Sequence, residues 1–240
     1  MTADRTEARD PAIERRLAAE AFGTFALVFV AAGADTFARV SGGEVSPLAR
    51  AVAPALMVAA LIWAIGDVSG AHFNPAVTLA FAAKRLFPLT RVVPYWVAQL
   101  VGAVAAAGLL RVLFGDAAVA AVSKPHVAAT TALALEAILS LLLVTVILGT
   151  ADRSSVVGPD AAMAVGATIA LCGLIALPIE GASMNPARSI GPALVAGDIH
   201  DLSIYVIGPF VGALAGALLT WLLHGPTQDE GRARTAASGE

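Results

Sequence analysis

Six stretches of this 240-residue chain are apolar for close to twenty residues at a time: Leu17–Thr36, Ala51–Asp67, Val92–Phe114, Val127–Thr150, Ala161–Leu177 and Ile204–Leu223. A helix of that length crosses the roughly 30 Å of bilayer hydrocarbon, and in lipid only a helix or a closed barrel satisfies its own backbone. Strand-like alternation is absent and Ala, Leu and Gly dominate, which argues against a barrel. Charged residues make up 14%, against about 25% in soluble domains. A net charge of −3 excludes a basic nucleic-acid surface. The lone Cys172 excludes an internal disulfide and a cysteine metal cage. The expected fold class is all-α membrane protein. No catalytic group, metal or cofactor is expected, and the expected partner is the lipid bilayer.

Residues 1–16 are polar and hold Arg5, Arg9, Arg15 and Arg16, so they read as a cytoplasmic segment rather than a signal peptide. Six spans then return residues 225–240, a polar small-residue tail expected to be disordered, to the cytoplasm. Lys84, Arg85, Arg91, Arg153, Arg232 and Arg234 fall on the same side, against Arg39, Arg50, Arg111 and Lys124 outside. A multi-pass protein of the plasma (inner) membrane is expected, with residues 17–224 as its single domain.

Two further apolar segments, Ala76–Ala83 and Ala187–Val195, are too short to span. Each is entered by Asn-Pro-Ala, at Asn74-Pro75-Ala76 and Asn185-Pro186-Ala187, 111 residues apart. Gly70-Ala71 matches Gly181-Ala182 at the same offset, Glu20 pairs with Glu136, and Gly102-Ala103 pairs with Gly212-Ala213. The chain is therefore two copies, about 17–114 and 127–223, of three spans and one short helix. An odd number of spans per copy inverts the second, and inverted repeats bring such short helices to the midplane. Asparagine is a good N-cap and proline suits the first helical position, so each triplet starts a half-helix whose positive end points at the centre. The loops before them, Gly66–Phe73 and Ile179–Met184, need burial or a wet cavity. Their carbonyls and the Asn74 and Asn185 amides suit neutral hydrogen-bonding solutes, and the converging positive ends oppose cations and a proton wire.

Ser69-Gly70-Ala71-His72-Phe73-Asn74-Pro75-Ala76-Val77-Thr78 and Gly181-Ala182-Ser183-Met184-Asn185-Pro186-Ala187-Arg188 resemble the signatures of the major intrinsic proteins, the aquaporin and glycerol-facilitator family. The resemblance covers about residues 16–224. It implies six helices and two half-helices in a right-handed bundle, usually a homotetramer with one pore per subunit. It also places an outer constriction at Pro54, Gly173, Ala182 and Arg188, with Ala53 or Ala55 in place of Pro54 if the count slips by one. Water-selective members carry an aromatic and a histidine at the first two of these positions. Here the residues are small, which implies a wider filter. Ser189 and Ala193 look like the water-channel branch, whereas Tyr205-Val206 and the stretch from Gly181 to Leu194 look most like the nodulin-26-like branch. That branch implies glycerol, urea and uncharged metalloid hydroxides such as arsenous, boric and silicic acid, besides water.

An intramembrane arginine is costly and functional by default, so Arg188 reads as a constriction residue. Glu20 and Glu136 read as acceptors for loop N–H groups, with proton coupling in a secondary transporter as the lesser reading. His72 is expected as a loop residue with a place in the inner vestibule as its alternative, Cys172 as inert packing, and Gly102, Gly208, Gly212 and Gly216 as helix contacts. Asp67 and Glu180 stand where histidine and Ser or Thr are expected, and both are read as solvated loop charge. A water-selective pore is the nearest alternative, an ion-coupled transporter the remote one. An enzyme finds no support, because no Ser/His/Asp, metal or phosphate-loop pattern is present.

Overall fold

The computed structural model describes residues 12–151 and 159–225 together with Arg234, Ala237 and Ser238. Among these, six long helices carry the apolar stretches: α1 (Ile13–Val40), α2 (Pro47–Ser69), α4 (Leu89–Phe114), α5 (Ala129–Ala151), α6 (Pro159–Glu180) and α8 (Leu202–His224). Two short ones, α3 (Pro75–Ala83) and α7 (Pro186–Ala196), follow the Asn-Pro-Ala triplets, and a 3-10 segment, Gly115–Ala121, extends α4. The starts follow local chemistry. Ser46 caps α2 through Ala49 N–H at 3.2 Å with Pro47 behind it, and Asn74 and Asn185 cap α3 and α7.

α1 packs on α4 and α5 on α8, the same pairing in each repeat, while α2 and α6 join across the repeats. In lipid such packing rests on close contact rather than on water exclusion, and glycine supplies it. A side chain at Gly102 would overlap the Ala21 carbonyl, and one at Gly212 the Ala137 carbonyl. Gly208 and Gly216 press on Glu136 and Leu141, so all four expected contact glycines lie at helix crossings. The outer faces stay apolar, with Leu56, Trp63, Val112 and Leu222 exposed.

The bundle has two distinct ends. Leu17, Phe81, Val92, Leu148 and Ala217 gather at one, which puts the start of α1 and the end of α8 on the same face. Asp35, Arg50, Ser123 and Arg188 gather at the other. Three sequence expectations change. α1 begins at Ile13, so Arg15 and the fully buried Arg16 belong to it rather than to a leading segment. α2 and α6 run on to Ser69 and Glu180, leaving loops of only a few residues before each triplet. In the tail, Ala237 and Ser238 are helical and buried, with Ala237 in the same cluster as Phe81 and Phe87, a departure from the expected disorder. A small apolar turn fits against that aromatic cluster. Arg5, Arg9, Arg153, Arg232 and the rest of the tail other than Gly225 and Arg234 lie outside the described residues.

Candidate functional site

Each half-helix is aimed by the loop before it, and the two loops share one conformation. Gly70, Ala71 and Phe73 have φ of 87°, 51° and 48°; Gly181, Ala182 and Met184 have 97°, 43° and 52°. Left-handed backbone at a non-glycine residue costs about 1–3 kcal/mol and persists only where surroundings impose it. A buried carboxylate imposes it in each repeat. Glu20 accepts from His72 N–H at 2.9 Å, Phe73 N–H at 2.8 Å, Ser69 Oγ at 2.7 Å and Gln99 Nε2 at 2.7 Å. Glu136 accepts from Ser183 N–H and, at 2.7 Å, Met184 N–H. Each hydrogen bond to a charged group contributes about 1.5–3 kcal/mol, which offsets the cost of burying the carboxylate.

The asparagines then lock the loops to each other. Asn74 Oδ1 accepts Ala76 N–H at 2.9 Å while its Nδ2 donates to the Met184 carbonyl at 2.8 Å. Asn185 Oδ1 accepts Ala187 N–H at 3.0 Å while its Nδ2 donates to the Phe73 carbonyl at 2.8 Å. An amide nitrogen has two hydrogens, so each asparagine keeps one for the space it borders. Two carbonyls expected in the solute ladder, Phe73 and Met184, thus each accept one of these bonds and keep a second lone pair. Pro75 and Pro186 are buried in the first turns behind them, as are Ala76 and Ala187.

A cavity of about 100 Å³ runs past both asparagines and is lined mostly by apolar side chains. At one end it meets Pro54, Gly173, Ala182 and Arg188, all four of the residues placed at the constriction from sequence. Gly173 differs in one respect from that reading. A Cβ there would sit 3.2 Å from the Ala51 side chain, so its smallness lets α2 and α6 approach as well as leaving width. Arg188 is held: its Nη1 donates to Ser123 Oγ, and its Nη2 lies 3.9 Å from Asp35. Asp35 also binds Arg50 Nε at 2.6 Å, and Arg50 borders the same cavity. Just beside this mouth, Lys124 at 2.7 Å holds the Asp198 carboxyl below the usual aspartate range.

At the other end His72 lines the cavity, stacked on Phe81 at 4.8 Å with its Nδ1 3.0 Å from Thr78 Oγ1. Ala237 packs in the cluster of Phe81, Phe87 and Tyr95, whose rings surround that of His72. Asp67 is exposed as expected but lies within α2 rather than in a loop, whereas Glu180 is fully buried and its Oε1 accepts Ala182 N–H at 2.9 Å. The loop is too short to carry that side chain out to water. Cys172 is buried in the packing around α6. Sequence reasoning missed Asp35, Ser123 and Gln99, none of which sits beside a motif. An acid at the end of the first span and an amide inside the third were the only signals available. Among the described residues no three His, Cys, Asp or Glu side chains converge as a metal cage would.

The family profile described as Major intrinsic protein matches residues 7–220. Aquaporin NIP1-1 of Oryza sativa subsp. japonica is 45% identical over 210 residues, covering 85% of this chain and 72% of that protein. Nodulin-26 of Glycine max is 41% identical over 204 residues, 85% of this chain and 75% of its own. Among solved structures, the aquaglyceroporin from Plasmodium falciparum superposes with a TM-score of 0.78 at 22% identity, over 87% of this chain and 95% of that one, a likeness of fold. The chain belongs to the major intrinsic protein family, whose members are passive membrane channels and not enzymes.

Proposed function

We propose that the protein is a passive pore for water and small uncharged solutes, glycerol, urea and metalloid hydroxides among them, and that it excludes ions and protons. The observation that carries this reading is that the small residues Pro54, Gly173 and Ala182 line the cavity together with Arg188 and Arg50. With no bulky side chain among those three, Arg188 offers its remaining donors to a solute larger than water. The nodulin-26-like and aquaglyceroporin names among the similar proteins point the same way. Ion exclusion follows from the two asparagine-capped helix starts and Arg188, all positive toward the lumen. Against ion coupling, Glu20 and Glu136 are engaged by loop donors that need them. The proposal includes a homotetramer in the plasma (inner) membrane with cytoplasmic termini, after the family pattern and the arginine bias; native-membrane cross-linking and terminal reporter fusions test it.

Proteoliposomes in a stopped-flow device should pass water and glycerol with low activation energy, with flux linear in gradient and indifferent to Na⁺. Pro54→Phe should cut glycerol permeability roughly tenfold while water falls far less, because a constriction discriminates by diameter. Equal losses would remove the filter assignment, water flux without glycerol flux would make the pore water-selective, and saturable coupled flux would make it a transporter.

A further inference from the structure

Glu180 stands 111 residues after Ser69, the offset that relates the two repeats, and occupies the same structural place. Ser69 Oγ accepts Ala71 N–H at 3.1 Å and donates to Glu20 Oε1 at 2.7 Å, and the Ser69 carbonyl accepts the Tyr95 hydroxyl at 2.9 Å. In the second repeat Glu180 Oε1 accepts Ala182 N–H, and the Glu180 carbonyl accepts the Tyr205 hydroxyl. Two of the three bonds are thus reproduced. The third requires a donor toward Glu136, and a carboxylate has none.

The consecutive N–H groups of Ala182 and Ser183 are nevertheless taken by Glu180 and Glu136 respectively, which sets the two buried carboxyl groups beside each other, as Ser69 Oγ stands beside Glu20 in the first repeat. Glu180 Oε2 is buried and meets no N–H or hydroxyl donor. Two ionised carboxylates do not hold such a contact, because like charges at that distance cannot both ionise away from water. Glu136 is committed as the acceptor for Ser183 and Met184. The hydrogen therefore resides on Glu180. With it, the second repeat carries one buried negative charge, as the Glu20–Ser69 pair of the first does.

We propose that Glu180 is a protonated carboxylic acid donating to Glu136, a positioning residue for the filter loop, and that loss of this proton at alkaline pH closes down permeation. Removing it breaks only the Glu180 O–H bond, and the proton passes to solvent base. A second anion is then left against Glu136, and the loop bearing Ala182 must move. The groups that face the pair are Arg188 from α7, Tyr205 from α8 and Cys172 on α6 itself. Asp35 of α1 stands behind Arg188. Lys124, on the segment before α5 that passes Gly181, is engaged by Asp198, and the exposed His126 gives only its backbone N–H, to the Ile179 carbonyl. Among the described residues, Arg188 alone offers compensating charge beside the pair.

The consequence for permeation rests on the pore reading above; the proton itself does not. Full-length protein in lipid should show, at neutral pH, an infrared carbonyl stretch of a protonated carboxylic acid that Glu180→Gln and Glu180→Ser both remove. In vesicles, wild-type water and glycerol permeability should hold through acid and neutral pH and fall severalfold on the alkaline side. Glu180→Gln, which keeps an N–H donor toward Glu136, and Glu180→Ser, which restores the first repeat's residue, should flatten that fall, with size exclusion confirming that each variant folds. Absence of the band, or its survival in both variants, overturns the proposal, as does an alkaline fall that both variants retain. A band with no permeability at any pH leaves the proton in place and sinks the pore reading instead.

Discussion

Asn185 makes four demands on one side chain: two helix-start N–H groups, a carbonyl of the opposite loop, and a free hydrogen toward the lumen. Asn185→Ala removes a cap worth about 1 kcal/mol and leaves the Phe73 carbonyl unpaired at about 1–3 kcal/mol more. The detergent-solubilised protein should unfold at a clearly lower temperature, and aspartate should not rescue it, because it restores the cap but not the donor. Unchanged melting would mean the inter-loop bond contributes nothing. Arg188 teaches a different lesson. Its place in the half-helix was readable beside the motif, but its anchor Ser123 lies 65 residues earlier and belongs to no pattern.

Between helices, contact rather than hydrophobicity decides what a residue does. Gly102 and Gly212 occupy equivalent crossings, α1 on α4 and α5 on α8, and at each a Cβ would run into a backbone carbonyl of the neighbour. Gly212→Leu should yield little folded protein by size exclusion. Gly108 also lies within α4, yet nothing comes within 4 Å of where its Cβ would be. Gly108→Ala should raise thermal stability, by about 0.4–1 kcal/mol, because only the unfolded chain and helix propensity are affected. Equal effects at the two positions would contradict the crossing geometry. The same contrast explains why the apolar stretches located the helices but left their ends displaced: apolar length says how far a segment stays in lipid, whereas Gly70, at a φ of 87°, decides where α2 stops.

The molecule as a whole is two inverted copies joined by residues 115–128, and that connector is fastened to the outer end of α7 by Lys124–Asp198. The pair depresses the Asp198 pKa below the ordinary 3.8, so its contribution is present above that value and is lost as pH falls through the lower folded value. Melting temperature of the wild type should therefore drop further than that of Asp198→Asn below about pH 4; parallel curves would show that the fastening is idle. What the sequence by itself determined is everything written in a short window: six lengths of apolar chain, two capped half-helix starts, and a repeat whose inversion follows from counting spans. Lipid and backbone chemistry act locally, so Asn74, Asn185, Glu20 and Glu136 could be singled out without coordinates. Only the tertiary structure decided that Glu180 is buried beside Glu136, that Gly173 faces Ala51, that Asp35 joins Arg50 and approaches Arg188, and that Ala237 joins the aromatic cluster around His72. Each of these depends on which groups remote in sequence are brought together, and on whether water can reach them once they are.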